Sequence, residues 1–249
     1  MNLKFNYQII IEYLGANLVG WQIQKKGKSV QGMVEKALSK TLKTNIKIIG
    51  SGRTDAGVNA WAQSANFFVT DEIKDVFKVL SSVNFYLNNY KISIIKIRKR
   101  NLNFHARHSA RKRIYEYIIL NRVAKPSIDY ERSWLVKKKL NIKNMKKGIS
   151  YLIGTHNFSA FRSSSCSAKS PIRTIESASI KKNKDKLIIN FTSKSFLQKQ
   201  VRSMVGCLKY VGEGKWYPKK INELINSKKR EYCAPPAPAA GLYLKKIYY

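Results

Sequence analysis

Two apolar runs, residues 46–49 and 65–69, flank the stretch GRTDAGVNAWAQ, residues 52–63, which holds a single carboxylate, Asp55, between two glycines. The runs predict two strands, and the stretch between them begins as the loop that joins those strands. Glycine and aspartate both favour turns, so a plain turn is the simplest interpretation of this loop. The remainder of the sequence determines whether Asp55 also has a chemical role.

The charge of the chain is strongly unbalanced. Its 249 residues include 48 Lys and Arg against 14 Asp and Glu, which gives a formal net charge of +34. Hydrophobic residues make up 44% and aromatic residues 11%, as in a folded globular protein. The positive surplus indicates a polyanionic partner, either nucleic acid or an anionic membrane.

Several classes of protein are disfavoured by the same sequence. No window approaches the ~18 uninterrupted apolar residues of a membrane span, and the first residues lack the apolar core of a signal peptide. Cys166, Cys207 and Cys233 are widely spaced, which argues against a disulfide scaffold and for a reducing compartment. We therefore expect a cytoplasmic protein that binds nucleic acid and no membrane.

The pattern of apolar residues predicts an α+β fold built from two βαββαβ halves. In the first half we expect elements in the order β-α-β-β-α-β at residues 5–13, 30–42, 46–51, 63–70, 71–86 and 92–97, with Ser29 as the cap of the first helix. In the second half we expect elements in the same order at residues 113–120, 141–153, 172–181, 186–192, 201–212 and 242–247, with one added helix at 218–228. The strands at 172–181 and 186–192 form a predicted hairpin with a polar turn at residues 182–185. This order predicts two ferredoxin-like domains with antiparallel sheets, residues 1–100 and 101–249.

The connection between the predicted halves, residues 99–112, is basic. A solvated linker is the usual meaning of such a run. It also contains His105 and His108, three residues apart, but no third ligand of suitable type lies nearby. We therefore expect no metal site. Neither a phosphate loop nor a GxGxxG motif occurs, so we also expect no nucleotide cofactor.

Asp55 has no second carboxylate in its own loop, so paired acid–base chemistry is not supported. If Asp55 acts chemically, it acts alone or as a nucleophile, with cations that keep it ionised. Arg53 is one candidate cation, and Arg202, on a predicted helix, is another.

Tyr115 follows two arginines, Arg111 and Arg113, on one predicted strand. An aromatic ring beside arginines can stack on an unpaired base. Its alternation with Tyr117 also predicts a side of the strand that faces the core, and periodicity alone favours that interpretation.

Taken together, eight sequence blocks resemble, in order, the TruA family of tRNA pseudouridine synthases over essentially the whole chain. In chain order they are GWQIQ (20–24), SVQG (29–32), the stretch around Asp55, FHAR (104–107), YEY (115–117), FSAFR (158–162), a block from Phe196 to Gly206, and GLYL (241–244).

The resemblance implies a role for each candidate residue. Asp55 matches the catalytic nucleophile and Tyr115 the tyrosine that packs on the target base. Arg53 matches the arginine that keeps the base flipped out, and Arg202 the arginine paired with the aspartate. The resemblance also implies a homodimer without cofactor or metal that acts on tRNA uridines 38, 39 and 40, with its site in a basic cleft between the halves.

Some positions depart from the family pattern, and two other functions remain open. The departures are Asn59, Ala62, Asn88, Gln200 and Ser203. A non-catalytic RNA-binding or ribosome-assembly protein would explain the charge and the tyrosines, but not the Asp55 loop. A DNA-binding repressor is less favoured, because no helix-turn-helix pattern is visible.

Overall fold

The computed structural model describes residues 4–249. The chain divides into two compact units. The first extends to Arg111 and includes Leu244–Tyr249, and the second is Lys112–Tyr243. No helix within residues 4–249 combines the length and the apolarity needed to cross a membrane.

The first unit is an antiparallel sheet with two helices. In chain order its elements are β1 (Phe5–Tyr13), α1 (Val30–Leu42), β2 (Ile49–Gly50), β3 (Asn59–Val69), α2 (Val76–Leu87) and β4 (Ile92–Arg100). The strand order is β4–β1–β3, and the short β2 pairs with β3. Its core contains Ile9, Ile11 and Phe67 from the sheet and Leu38 and Val83 from the helices, all fully buried.

The second unit is also a sheet with helices. Its elements are β5 (Lys112–Leu120), β6 (Trp134–Leu135), α3 (Ile142–Ser150), β7 (Gly154–Asn157), β8 (Ile172–Asn183), β9 (Lys186–Ser193), α4 (Gln200–Gly212) and α5 (Lys220–Ser227). The strand order is β5–β9–β8–β7, all antiparallel, and β6 runs parallel to the end of β5.

The last strand and four short helices complete the fold. Along the chain, β10 (Leu242–Tyr248) crosses the boundary between the units. Single turns of 3₁₀ helix occur at Asn88–Tyr90, Ser159–Phe161, Arg230–Tyr232 and Ala239–Gly241. The predicted α+β class is confirmed, and so is the hairpin β8–β9.

The strand predicted at residues 46–51 is wrong over most of its length, because only Ile49 and Gly50 form a strand. Side chains of α1 accept hydrogen bonds from the backbone that leads into β2. The Ser39 hydroxyl accepts from Ile46 N, and the Glu35 carboxylate accepts from Ile48 N. Since both N–H groups are satisfied by α1, this segment follows the helix and does not join a sheet.

Other boundaries also differ from the predictions. The helix predicted from residue 71 begins at Val76, because the carboxylate of Asp75 caps it by accepting from Lys78 N. β3 begins at Asn59, earlier than the predicted residue 63. The helix predicted to reach residue 153 ends at Ser150, and the chain then forms β7, which was not predicted.

Three helices are each followed by a lysine in the left-handed backbone conformation. α1, the first 3₁₀ helix and α5 are followed by Lys43, Lys91 and Lys228, with φ of 53°, 54° and 57°. This left-handed conformation is common for the residue after a helix, but glycine or asparagine usually occupies it. All three lysines are exposed.

A buried network of amides fixes the start of the basic connection to the sheet of the first unit. Asn66 Nδ2 donates to Asn6 Oδ1 at 3.0 Å, and Asn6 Nδ2 donates to Phe104 O at 2.8 Å. Asn66 Oδ1 accepts from Ala106 N at 2.9 Å. Both asparagines are fully buried. The connection after β4 is therefore held by defined hydrogen bonds rather than left as a solvated linker.

We predict that Asn66→Ala lowers the free energy of unfolding by about 2–4 kcal/mol, because it leaves two buried groups unpaired. Urea unfolding measures this loss, and trypsin should cut faster at Arg107. Asn88→Ala, at an exposed position, is the control and should change stability by no more than about 0.5 kcal/mol. Equal losses in the two variants would contradict the role of the network.

Candidate active site

Asp55 is the first residue of a tight turn in the first unit. Val58 N donates to Asp55 O at 3.1 Å, and Gly57, the third residue of the turn, has φ of 75°. A positive φ at this position is what a type II turn requires, and glycine adopts it without strain. The Asp55 side chain is half-buried. The turn predicted from the sequence is therefore present, and it places a carboxylate at its start.

The residue before Asp55 is held on both its backbone and its side chain. Thr54 is buried, and its Oγ1 shares a hydrogen bond of 2.8 Å with the Tyr13 hydroxyl at the end of β1. Thr54 O accepts from Trp21 N at 3.1 Å. Two separate parts of the chain thus fix the backbone from which Asp55 projects.

A further hydrogen bond holds the other end of the Asp55 loop. Asn59 Oδ1 accepts from Gly15 N at 2.7 Å, and Asn59 is fully buried. Asn59 therefore links the loop after β1 to the start of β3. A Cβ atom on Gly20, which has φ of 101°, would lie 2.6 Å from Thr54 O. The residue at position 20 thus limits how closely the two loops approach.

Arg53 lies between two anchored positions, and its side chain is exposed. On one side Gly52 O accepts from Gln63 Nε2 at 2.8 Å, and on the other Thr54 is buried. The loop therefore fixes the backbone of Arg53 and leaves its guanidinium at the surface. A surface cation close to Asp55 in sequence suits contact with a polyanion.

Tyr115, on β5 of the second unit, is largely buried. Only 9% of it is exposed, and its ring meets that of Phe196 edge-on with 5.1 Å between centroids. Tyr117 and Ile119, on the same side of β5, are fully buried. The alternation thus correctly indicated a side that faces the core, and Tyr115 is the residue at which this side begins to reach the surface.

Arg202, in the first turn of α4, is half-buried and held by the proline-rich segment, residues 234–241. Its Nε donates to Ala237 O at 2.6 Å, and Ala237 N donates back to Arg202 O at 2.9 Å. Burial raises the pKa of Tyr117 well above its usual range, and the nearby Arg202 charge opposes this only in part. The Tyr117 hydroxyl donates to Pro238 O at 2.8 Å, which attaches the same segment to β5.

Two departures from the family pattern lie beside Arg202 in α4. Gln200 is buried, and its Oε1 accepts from Leu197 N at 2.8 Å, so it binds the backbone of the segment that leads into the helix. Ser203 is buried and accepts from the Arg230 guanidinium at 3.1 Å. Both polar residues therefore have structural partners.

His105 serves the local fold of the connection. Its Nδ1 accepts from Arg107 N at 3.2 Å and from His108 N at 3.3 Å. Burial and the neighbouring His108 hold the pKa of His105 below its usual value. Among residues 4–249, no three His, Cys, Asp or Glu side chains form a group that could hold a metal ion.

Two of the four predicted site residues lie in the first unit and two in the second. Arg53 and Asp55 share one loop of the first unit, and Tyr115 and Arg202 belong to the second. The pairing of Asp55 with Arg202 stays a prediction. The sequence does not predict the hydrogen bonds from Thr54 to Tyr13 or from Arg202 to Ala237. The position of Tyr13 at the end of a predicted strand is the one signal for the first of these.

Comparison with known proteins gives the family. A family model described as tRNA pseudouridine synthase matches residues 149–249. A tRNA pseudouridine synthase A from Pelagibacter ubique is 57% identical, covering 98% of this chain and all of that protein. Proteins of the same name from Ehrlichia ruminantium and Anaplasma phagocytophilum are 41% and 39% identical, over 98% of this chain and 99% of each.

This chain belongs to the tRNA pseudouridine synthase family, and it is an enzyme of the isomerase class. Among solved structures, a putative chlorite dismutase aligns with this chain at 8% identity and a TM-score of 0.21. The alignment covers 94% of this chain and 91% of the dismutase chain. A score this low does not indicate a shared fold.

We predict that Gly20→Ala disturbs the Asp55 loop beyond the strain of a left-handed alanine, because its Cβ would press on Thr54 O. The control is Gly214→Ala, which also has a positive φ, of 76°, but has open space around its Cβ. Each should lose about 1–2 kcal/mol from backbone strain. Gly20→Ala should lose about 1–3 kcal/mol more in urea unfolding, from overpacking. A loss no larger than the control's would show that the contact with Thr54 is unimportant.

Proposed function

We propose that this protein isomerises uridine to pseudouridine in tRNA, with Asp55 as the nucleophile. The observation that carries the proposal is the turn at Asp55, whose backbone is held by the Trp21 N to Thr54 O hydrogen bond and by the buried Tyr13–Thr54 pair. Catalytic groups must be held within narrow limits to be effective, and this loop provides such support for one carboxylate. Membership of the family and the names of the relatives support the choice of reaction.

The reaction needs one carboxylate and no activated water. Asp55 attacks C1′ of the ribose, so a bond from its carboxylate oxygen to C1′ forms while the bond between N1 of the uracil and C1′ breaks. The freed base rotates, C5 bonds to C1′, and the bond between Asp55 and C1′ breaks, which regenerates the carboxylate. C5 loses its proton and N1 gains one, so the product has the composition of the substrate. This balance agrees with a loop that offers a single acid.

Three further residues complete the proposed site. Arg53, exposed beside Asp55, keeps the target base out of its helix. Arg202 pairs with Asp55, and its geometry is supported by its hydrogen bond to Ala237 O. Tyr115 packs on the extruded base and assists removal of the C5 proton. The ring of Phe196 limits the positions that Tyr115 can take.

We further propose that residues 1–100 and 101–249 are two ferredoxin-like halves with a basic cleft between them, and that the protein works as a cytoplasmic homodimer without a cofactor. The targets are uridines 38, 39 and 40 of the anticodon stem-loop. Extruding a base from a stem costs a few kcal/mol, which phosphate contacts and stacking supply. A net charge of +34 supports such phosphate contacts.

The alternative left open by the sequence, an RNA-binding protein without catalysis, is not supported by membership of an enzyme family. It would use the same charge and the same aromatic residues, but it gives no reason for the anchored carboxylate at Asp55. Unmodified tRNA incubated with the protein separates the two, because only the enzyme yields an isomer of unchanged mass.

We predict that Asp55→Asn lowers the rate of pseudouridine formation by a factor on the order of 10⁴, since it removes the nucleophile. Release of tritium from tRNA carrying 5-tritiated uridine measures the rate. The control is Asp71→Asn, which removes an equal charge at an exposed position and should leave the rate unchanged. Both variants should unfold in urea like the wild type. Turnover near the wild-type rate in Asp55→Asn would refute the assignment.

Affinity for tRNA should depend steeply on salt, because binding releases counterions from the phosphates. For six or more contacts we expect a loss of about a thousandfold between roughly 50 and 200 mM monovalent salt. Arg107→Gln, in the exposed basic connection, should reduce the logarithmic slope by about one. Lys47→Gln, whose lysine is paired with Glu35, should leave the slope unchanged. Filter binding provides the data, and a flat salt dependence would be inconsistent with phosphate contacts.

A further inference from the structure

Two thiols of the second unit lie side by side. Cys207 is fully buried in α4, and Cys233, directly after the 3₁₀ helix Arg230–Tyr232, is partly exposed. Their sulfur atoms are 3.4 Å apart, although 26 residues separate them along the chain. The proposed reaction on tRNA makes no use of either thiol.

The environment of this pair makes the two sulfurs chemically different. The two thiols share a hydrogen bond, and this bond, aided by the nearby Arg230, holds the pKa of Cys233 below its usual value. Burial raises the pKa of Cys207 well above its usual value. The Arg230 guanidinium is itself held by Ala160 O at 3.2 Å and Ser203 Oγ at 3.1 Å. The more exposed sulfur is thus also the better nucleophile.

The backbone around the pair is already joined at a second point. Cys233 begins the chain that leads into residues 234–241, and this segment is bonded to α4 through Ala237 N and Arg202 O at 2.9 Å. A disulfide needs its sulfurs about 2.05 Å apart. The two sulfurs, 3.4 Å apart, lie on segments that this backbone hydrogen bond already holds together.

We propose that Cys207 and Cys233 form an oxidation site, at which hydrogen peroxide produces a reversible disulfide within the chain. The sulfur of Cys233 attacks the peroxide, the O–O bond breaks, and one water leaves, which gives a sulfenic acid on Cys233. The sulfur of Cys207 then attacks that of Cys233. The S–S bond forms, the S–O bond breaks, and the hydroxide takes up the Cys207 proton and leaves as a second water. Both sulfurs are oxidised, and hydrogen peroxide is reduced to two waters.

The disulfide would attach the proline-rich segment covalently to the helix that carries Arg202. In a reducing compartment such a bond is transient, which suits a response to oxidants. It would also close a loop of 26 residues and restrict the unfolded chain, so the oxidised protein should melt at a higher temperature.

The test counts thiols in the full chain. Hydrogen peroxide is added, the protein is denatured in the presence of N-ethylmaleimide, and the intact mass is measured. The untreated chain has three cysteines and takes up three maleimides. The oxidised chain should take up one and lose two hydrogen atoms, and dithiothreitol should restore three. Peptide mapping should find Cys207 joined to Cys233, with Cys166 as the remaining thiol.

Variants keep the test decisive. Cys166→Ser should still form the disulfide and show a reversible rise in melting temperature. Cys233→Ser, at the more exposed position, should fold as the wild type does and keep both remaining thiols free of an intrachain bond. The proposal is overturned if peroxide links Cys166, joins separate chains, or drives Cys233 to sulfinic acid while Cys207 stays a thiol.

Discussion

The whole candidate site of the first unit depends on Thr54. Its buried hydroxyl is bound to Tyr13 and its carbonyl oxygen accepts from Trp21, so the chain enters the turn at Asp55 from a fixed position. Tyr13 ends β1 and Trp21 precedes α1, so the sheet and the helix both determine where the carboxylate lies. A polar contact in the interior here has a positioning effect that an apolar contact of the same size would lack, because hydrogen bonds are directional.

The sequence was sufficient for those features that depend on neighbouring residues. Alternation and a polar turn predicted the hairpin β8–β9, and Ser29 predicted the start of α1, where its side chain indeed accepts from Gly32 N. Asp55 could be found because two glycines mark its turn. The prediction failed at residues 46–48, where Ser39 and Glu35 bind the backbone and prevent a strand. Such side-chain competition leaves no periodic signal.

The contacts that support the site join residues far apart in the sequence. Tyr13 and Thr54 are 41 positions apart, and Arg202 and Ala237 are 35 apart. Local patterns give the type of each residue but not its partner. The proline-rich segment illustrates this limit. Its prolines exclude a helix or a central strand, whereas its attachment to both α4 and β5, through Ala237 and Pro238, follows only from the packed fold.

The lysines that end three helices give the basic composition another meaning. Lys43, Lys91 and Lys228 stand where glycine would be less strained, and each carries a cation at a helix terminus, where the carbonyl groups favour one. Backbone shape and electrostatics therefore oppose each other at these positions. Because glycine would relieve the strain while removing a charge, the protein could become less basic at these sites with little effect on its stability. Part of its charge is thus adjustable independently of the fold.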